Sequence, residues 1–287
     1  MSKLIALLAL LVALAWAVTA TASWITAKKA PRALGRGTAL PAVGLAEQNR
    51  SFRGAQLRTF VAAVFTLALF ATIFRFSVAV AGQAALTAVL TAQLSSSAGL
   101  LLFSTLPARK VASGPATAGS PKESPGWTAK RSLPLTLAIL LAGAAFVTAA
   151  GTTAPGYLPW QNGIPALLAT AALAGSALLA ARRIATTHCL SDPRMAALDQ
   201  RWRQLALRNL AAFTNGMALA GLGATALLAR LTMGDAAAGS AGAWITAAAV
   251  AGAALAVAGV VLLAVAIQGT LTLPARMRGE TPQRVSA

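Results

Sequence analysis

Long apolar runs alternate with shorter polar segments along the whole chain. A helix that crosses a bilayer needs about 20 mainly apolar residues. Seven stretches meet that requirement, at about 4–26, 59–81, 84–106, 134–151, 164–181, 207–230 and 243–267. The pattern predicts an all-α polytopic transmembrane helical bundle of about seven spans, forming a single membrane domain over residues 1–287.

Two of the polar segments differ in character. Residues 107–133 are basic and contain a stretch rich in Ser, Gly and Pro, which predicts a flexible cytoplasmic linker. Residues 192–206 have helical periodicity instead, with Asp192 as N-cap and Pro193 in the first helical position. The apolar residues Met195, Leu198, Trp202 and Leu205 recur every three or four positions, and Arg194, Arg201 and Arg208 occupy another face.

This amphipathic basic helix suits an interfacial position on anionic headgroups, with Arg194, Arg201, Trp202 and Arg208 as the contacts. Docking to a cytoplasmic protein is the alternative. Asp199 and Arg203 are also spaced for an i,i+4 ion pair.

Composition supports the membrane interpretation. The chain is 57% hydrophobic and only 10% charged, and its mean hydropathy is +0.70. Soluble domains carry about 25% charged residues, and disordered chains are poor in apolar residues. Both classes are therefore excluded.

The charge distribution predicts an orientation. Lys and Arg number 24 against 6 Asp and Glu, giving a net charge of +18. All basic residues except Lys3, Arg75 and Arg230 fall in four clusters, at 28–58, 109–131, 182–208 and 276–284. These clusters occupy every second polar segment along the chain. Basic loops stay cytoplasmic, so we expect the amino terminus outside and the carboxyl terminus inside. Confinement of the charge to alternate loops argues against nucleic-acid binding.

The first apolar segment has two interpretations. Lys3, the apolar run and Ala20-Thr21-Ala22 resemble a cleaved secretory signal. Cleavage would force the basic cluster that begins at Lys28 across the membrane. Retention as a spanning helix is therefore favoured.

Arg75 and Arg230 both lie near the predicted outer ends of spans. Their stems can follow the lipid while the guanidinium groups reach the interface. They are expected to be snorkelling anchors, with a headgroup or substrate contact as the alternative.

Few polar side chains fall within the predicted spans. The uncharged ones of interest are Gln93 with Ser95, Ser96 and Ser97 in the third span, and Thr214 with Asn215 in the sixth. Such groups usually form hydrogen bonds between helices. The alternative is a polar cluster or cavity between the two spans.

One extracytoplasmic segment, residues 151–165, is rich in Pro and Gly and carries Tyr157 and Trp160. These aromatic residues suit the membrane interface, and the loop is a candidate contact site for a ligand or partner.

Reaction chemistry is sparse in the sequence. All six acidic residues lie outside the predicted spans, and His188 is the only histidine. No phosphate-binding glycine motif or metal-ligand spacing is present. We therefore predict no catalytic, cofactor-binding or metal site, and no cofactor.

The second half of the chain resembles actinobacterial multi-pass integral membrane proteins of unassigned activity. The motifs concerned are Pro155-Gly156-Tyr157, Gly163-Ile164-Pro165, Arg182-Arg183-Ile184, and Asp192-Pro193 with Ala196, Ala197 and Asp199. The resemblance implies an accessory membrane protein and assigns no catalytic residue.

Together these features predict a non-enzymatic accessory or structural subunit of a complex in a bacterial plasma membrane. Its partners would be anionic lipid and other membrane subunits. A small permease, or the membrane subunit of a transporter energised by a separate ATPase, is the alternative. An enzyme acting on lipid-linked substrates ranks third.

Overall fold

The computed structural model describes residues 42–81, 84–106, 126–153, 160–186, 196–233 and 240–278. Within these ranges the chain is helical. The helices are α1 (Ala42–Ala81), α2 (Ala84–Thr105), α3 (Gly126–Thr153), α4 (Trp160–Thr186), α5 (Ala196–Met233) and α6 (Ser240–Arg278).

All six helices contain a stretch long and apolar enough to cross a membrane. Their apolar side chains are also widely exposed at the outer surface of the bundle, as in Phe60 of α1 and Val257 of α6. A surface of this kind is stable in hydrocarbon and not in water. The chain is therefore a multi-pass integral membrane protein. The predicted first span, residues 4–26, lies outside the described residues.

Helix α5 is the centre of the bundle. It packs most extensively against α6 and also contacts α4, α3 and α2. Helix α1 packs mainly on α2, and α6 mainly on α5. Helices with more neighbours are more buried: 44% of the apolar stretch of α5 is buried, but only 6% of that of α1. Helices α1 and α6 are thus the two edges of the bundle.

Glycine allows α5 and α6 to approach closely. A Cβ atom added at Gly216 would lie 2.9 Å from the Gly259 carbonyl oxygen, and one at Gly259 would lie 2.6 Å from that of Gly216. Gly223 and Gly252 oppose each other in the same way about two turns further along the pair. The pairing is antiparallel, because position increases along α5 as it decreases along α6. Backbone contact of this kind is a common basis of helix association in lipid.

An aromatic contact lies near the end of the bundle where α3 ends and α6 begins. The rings of Phe146 in α3 and Trp244 in α6 meet edge to face, with centroids 6.3 Å apart. They pack against a small buried cluster of Val147, Ala150 and Ala229. The contact joins α6 to α3 near the carboxyl-terminal end of α5.

Three helices begin in places that the sequence pattern does not indicate. Helix α1 starts at Ala42, although the predicted span starts at about residue 59. Helix α3 starts at Gly126, so residues 126–133 of the predicted linker are helical. The predicted interfacial helix and the sixth span form one unbroken helix from Ala196, with no separate element between them. Ordinary helix formers such as Lys130 and Gln204 allow a helix to continue past the apolar stretch. Residues 107–125 and Asp192 lie outside the described part.

Candidate functional site

The polar interior of the bundle lies on α2. Five consecutive or alternate polar side chains of this helix are buried, namely Thr91, Gln93, Ser95, Ser96 and Ser97. Helix α2 packs against α4, α1 and α5, and these neighbours enclose the polar side chains. A polar side chain is stable at this depth only if it finds hydrogen-bond partners. The pattern of those partners decides what the interior can do.

Gln93 links α2 to α4. The hydroxyl of Thr170 donates a hydrogen bond to Gln93 Oε1 over 3.3 Å, and the glutamine is only 2% exposed. The amide group lies directly over Gly221 of α5, where an added Cβ would collide with Gln93 Nε2. Gly221 therefore makes the space in which the Gln93 amide sits.

Asn215 forms a second and separate link. Thr136 Oγ1 of α3 donates a hydrogen bond to Asn215 Oδ1 of α5 over 2.7 Å, and Asn215 is buried. Gln93 meets α5 at Gly221, about 9 Å along the helix axis from Asn215. The structure therefore places Gln93 and Asn215 in two different interhelical hydrogen bonds.

The threonine partners in both links were not predicted from the sequence. Thr170 and Thr136 are isolated hydroxyl residues in apolar runs, which is a weak signal by itself. Most hydroxyls in these helices donate to a carbonyl of the preceding turn, as Thr225 does to Gly221 over 2.8 Å, and Thr170 also has the Ala166 carbonyl within 2.9 Å. Sequence spacing does not distinguish a hydroxyl that bonds its own helix from one that reaches a neighbour.

A small cavity lies beside Gln93 where α2, α3, α4 and α5 meet. Its volume is about 20 Å³. Polar groups reach it from Gln93, Thr170 and Thr225, and the rest of the lining is apolar. A cavity of this size has room for about one water molecule.

A partly buried ion pair lies at the start of α5, where the side chain of Asp199 is 3% exposed and that of Arg203 is 21% exposed. Asp199 Oδ2 and Arg203 Nη2 are 2.7 Å apart, which agrees with the i,i+4 spacing in the sequence. Arg203 Nη1 also donates a hydrogen bond to the carbonyl oxygen of Ala185, over 3.1 Å. Because Ala185 is in the last turn of α4, Arg203 occupies one of the carbonyls that a helix end leaves without an intrahelical partner. The pair thus fastens the extension of α5 to the end of α4.

The other predicted contact residues are spread along the bundle. Arg201 and Arg208 are exposed on the first turns of α5, and Trp202 between them is half-buried. Arg75 is exposed on α1, and Arg230 is half-buried in the last turn of α5. Tyr157 and Arg194 lie outside the described residues, and Trp160 is the first residue of α4.

Arg208 and Arg230 lie near opposite ends of the apolar stretch of α5. They are separated by about 33 Å along α5 at 1.5 Å per residue. The hydrocarbon core of a bilayer is about 30 Å thick. This spacing fits the predicted use of Arg230 as an anchor at one interface and of Arg208 at the other.

Side chains that commonly bind metals are few in the described ranges. There, no three His, Cys, Asp or Glu side chains come together in a way that could hold a metal ion. His188 and Cys189 lie outside those ranges.

Comparison with known proteins adds no family. No protein-family model matches the chain, and neither the curated proteins nor the solved structures contain a match. The resemblance to actinobacterial multi-pass proteins therefore stays a prediction.

Proposed function

We propose that this membrane protein is a non-enzymatic accessory or structural subunit of a complex in a bacterial plasma membrane. Its carboxyl terminus and basic loops would face the cytoplasm, and its amino terminus would face outward. Anionic lipid would contact the exposed Arg201 and Arg208, and other membrane chains would complete the complex.

The observation that carries the proposal is the use of the interior polar groups. The Thr170–Gln93 hydrogen bond joins α4 to α2, and the Thr136–Asn215 hydrogen bond joins α3 to α5. The space left beside Gln93 is about 20 Å³, which is too small for a solute. An interior organised around helix–helix hydrogen bonds fits a scaffold better than a passage.

The edges of the bundle offer surface for such a complex. Phe60 on α1 is 66% exposed and Val257 on α6 is 65% exposed. Lipid or another membrane chain can cover either edge. A subunit of a complex would have another chain on at least one of them.

Site-specific photocrosslinking tests this arrangement directly. A photoreactive amino acid is placed at Phe60 or Val257, and the tagged full-length chain is expressed at native level, irradiated in cells and purified. We expect an adduct of defined mass with another membrane chain at one edge or both, and co-purification of that chain in mild detergent. Recovery of only a lone, monodisperse chain, with no protein adduct at either position, would contradict the proposal.

The permease alternative has one observation in its favour. Among the described side chains, Gln93 Nε2 and Ser97 Oγ are buried atoms without a hydrogen-bond partner, one helical turn apart on α2. Unsatisfied groups of this kind occur along solute pathways as well as in scaffolds. Solute flux in vesicles reconstituted with the purified chain, lost on Gln93→Leu substitution, would favour this alternative.

A further inference from the structure

The Gln93 side-chain nitrogen, Nε2, has no hydrogen-bond partner in the part of the protein that the structure describes. Gln93 Oε1 accepts a hydrogen bond from Thr170, but Nε2 is buried and donates to no protein atom. A buried donor without a partner costs about 1–3 kcal/mol. Because Gln93 is only 2% exposed, bulk solvent does not provide the missing acceptor.

The cavity beside Gln93 offers room for an acceptor. It has a volume of about 20 Å³ and is lined by Gln93 together with Thr170 and Thr225. A polar cavity of this size holds about one water molecule, which needs two to four polar partners. The three side chains come from α2, α4 and α5, so a molecule in the cavity would lie at the junction of these helices.

The chemistry of the lining selects the ligand. Thr225 Oγ1 donates to the Gly221 carbonyl over 2.8 Å, and the single hydroxyl proton of Thr170 is shared between the Ala166 carbonyl at 2.9 Å and Gln93 Oε1 at 3.3 Å. Their hydroxyl protons are thus engaged, while oxygen lone pairs remain as acceptors. Gln93 Nε2 supplies the free donor. An anion in the cavity would find no hydrogen-bond donor besides Gln93 Nε2 in the described lining, and a cation would be repelled by the amide hydrogens of Gln93. A small neutral molecule that both accepts and donates hydrogen bonds therefore fits the cavity best.

We propose that the cavity is an internal hydration site that holds one water molecule. The water accepts a hydrogen bond from Gln93 Nε2 and donates to the hydroxyl oxygens of Thr170 and Thr225. It extends the direct Thr170–Gln93 link into a three-helix junction. Gly221 is required for this junction, because a Cβ there would displace the Gln93 amide.

X-ray hydroxyl-radical footprinting of the full-length chain in lipid nanodiscs tests the site. Radicals formed from a bound water oxidise the side chains beside it, and the lining of this cavity includes Leu167 and Leu222. Leu141 on α3 is 61% exposed at the outer surface and is the dry reference in lipid. We expect oxidation of Leu167 and Leu222 well above that of Leu141, falling to the Leu141 level in Gln93→Leu.

Two results would overturn the proposal. One is oxidation of Leu167 and Leu222 no greater than that of Leu141 in the unaltered chain. The other is unchanged oxidation of both leucines in a folded Gln93→Leu protein, since the water would then not depend on the amide.

A second variant covers the case in which Gln93→Leu does not fold. Thr225→Val has nearly the same shape and removes an acceptor of the water, so it should lower the oxidation of the same leucines. Thr148→Val is the matched control, because Thr148 is exposed on α3 and bonds only its own helix at Ala144. Oxidation that persists in Thr225→Val, or falls equally in Thr148→Val, contradicts the proposal.

Discussion

Thr136 Oγ1 of α3 donates a hydrogen bond to Asn215 Oδ1 of α5 over 2.7 Å, and the two residues are 79 positions apart in the chain. The Thr170–Gln93 hydrogen bond likewise joins residues that are 77 positions apart. Because Thr136 and Asn215 lie in apolar stretches, lipid offers neither group another partner. Their bond therefore fixes how α3 packs on α5.

A double-mutant cycle measures the strength of this bond. We expect Thr136→Val and Asn215→Leu to show a coupling energy of about 1 kcal/mol, in the range found for side-chain hydrogen bonds within membranes. The measurement is the free energy of unfolding of the single and double variants in mixed detergent. The matched cycle pairs Asn215→Leu with Thr148→Val, and equal coupling in the two cycles would disprove a specific bond.

Gly259 is expected to tolerate no side chain. A Cβ there would lie 2.5 Å from the Ala220 nitrogen and 2.6 Å from the Gly216 carbonyl oxygen. Gly259→Ala should therefore push α6 away from α5 and lower the free energy of unfolding by about 1–3 kcal/mol.

Gly175 provides the control for that substitution. An added Cβ at Gly175 meets no atom within 4 Å. Gly175→Ala should be neutral or stabilise the helix by about 0.5–1 kcal/mol, because alanine loses less backbone entropy. Thermal unfolding of both variants checks the pair, and similar losses at the two positions would contradict the close α5–α6 contact.

The ion pair at the start of α5 should stabilise the α4–α5 junction. Asp199 is 2% exposed, so Asp199→Asn leaves the Arg203 guanidinium without its countercharge. We expect a loss of about 1–3 kcal/mol in the free energy of unfolding. Faster hydrogen exchange at the start of α5 and the end of α4 should accompany the loss.

Two further variants distinguish charge pairing from helix propensity. Adding Arg203→Met to Asp199→Asn should recover part of the lost stability, because no buried charge is then left alone. Gln204→Ala, at an exposed position one residue further on, should have little effect. A Gln204→Ala loss as large as that of Asp199→Asn would contradict a specific role for the pair.

Anionic lipid should raise the stability of the protein through the basic start of α5. A basic residue near an anionic surface contributes about 1 kcal/mol. We expect the melting temperature to rise when neutral nanodiscs are replaced by phosphatidylglycerol-containing ones. The rise should shrink in Arg201→Gln with Arg208→Gln, while Gln204→Ala keeps it. An undiminished rise in the double variant would contradict headgroup contact at these residues.

The sequence predicts the helical segments well and their extensions poorly. Apolar length alone identifies the spans, since hydrocarbon requires it. Residues 126–133 belong to α3 although they are polar, because a helix continues into water wherever propensity and neighbouring contacts permit. The continuous start of α5 at Ala196 has the same origin, and the Arg203 bond to Ala185 adds a tertiary contact.

The interior contacts could be predicted only in kind. Gln93 and Asn215 stand out in the sequence because polar side chains are rare in the spans. Their partners, Thr170 and Thr136, depend on which helices lie side by side, and spacing along one chain does not encode that. The same limit applies to Gly221, whose role is visible only when the Gln93 amide is seen above it.

The proposed topology depends most on the position of the basic loops on the cytoplasmic side, and a native cysteine can report this position. Cys189 is the only cysteine and lies in the 182–208 basic cluster. Membrane-impermeant maleimide applied to intact cells measures its accessibility. A Cys189→Ser, Gly156→Cys variant reports the opposite loop. We predict that Cys189 reacts only after the cells are permeabilised and that the cysteine at position 156 reacts without permeabilisation. Labelling of Cys189 in intact cells would contradict the proposed orientation.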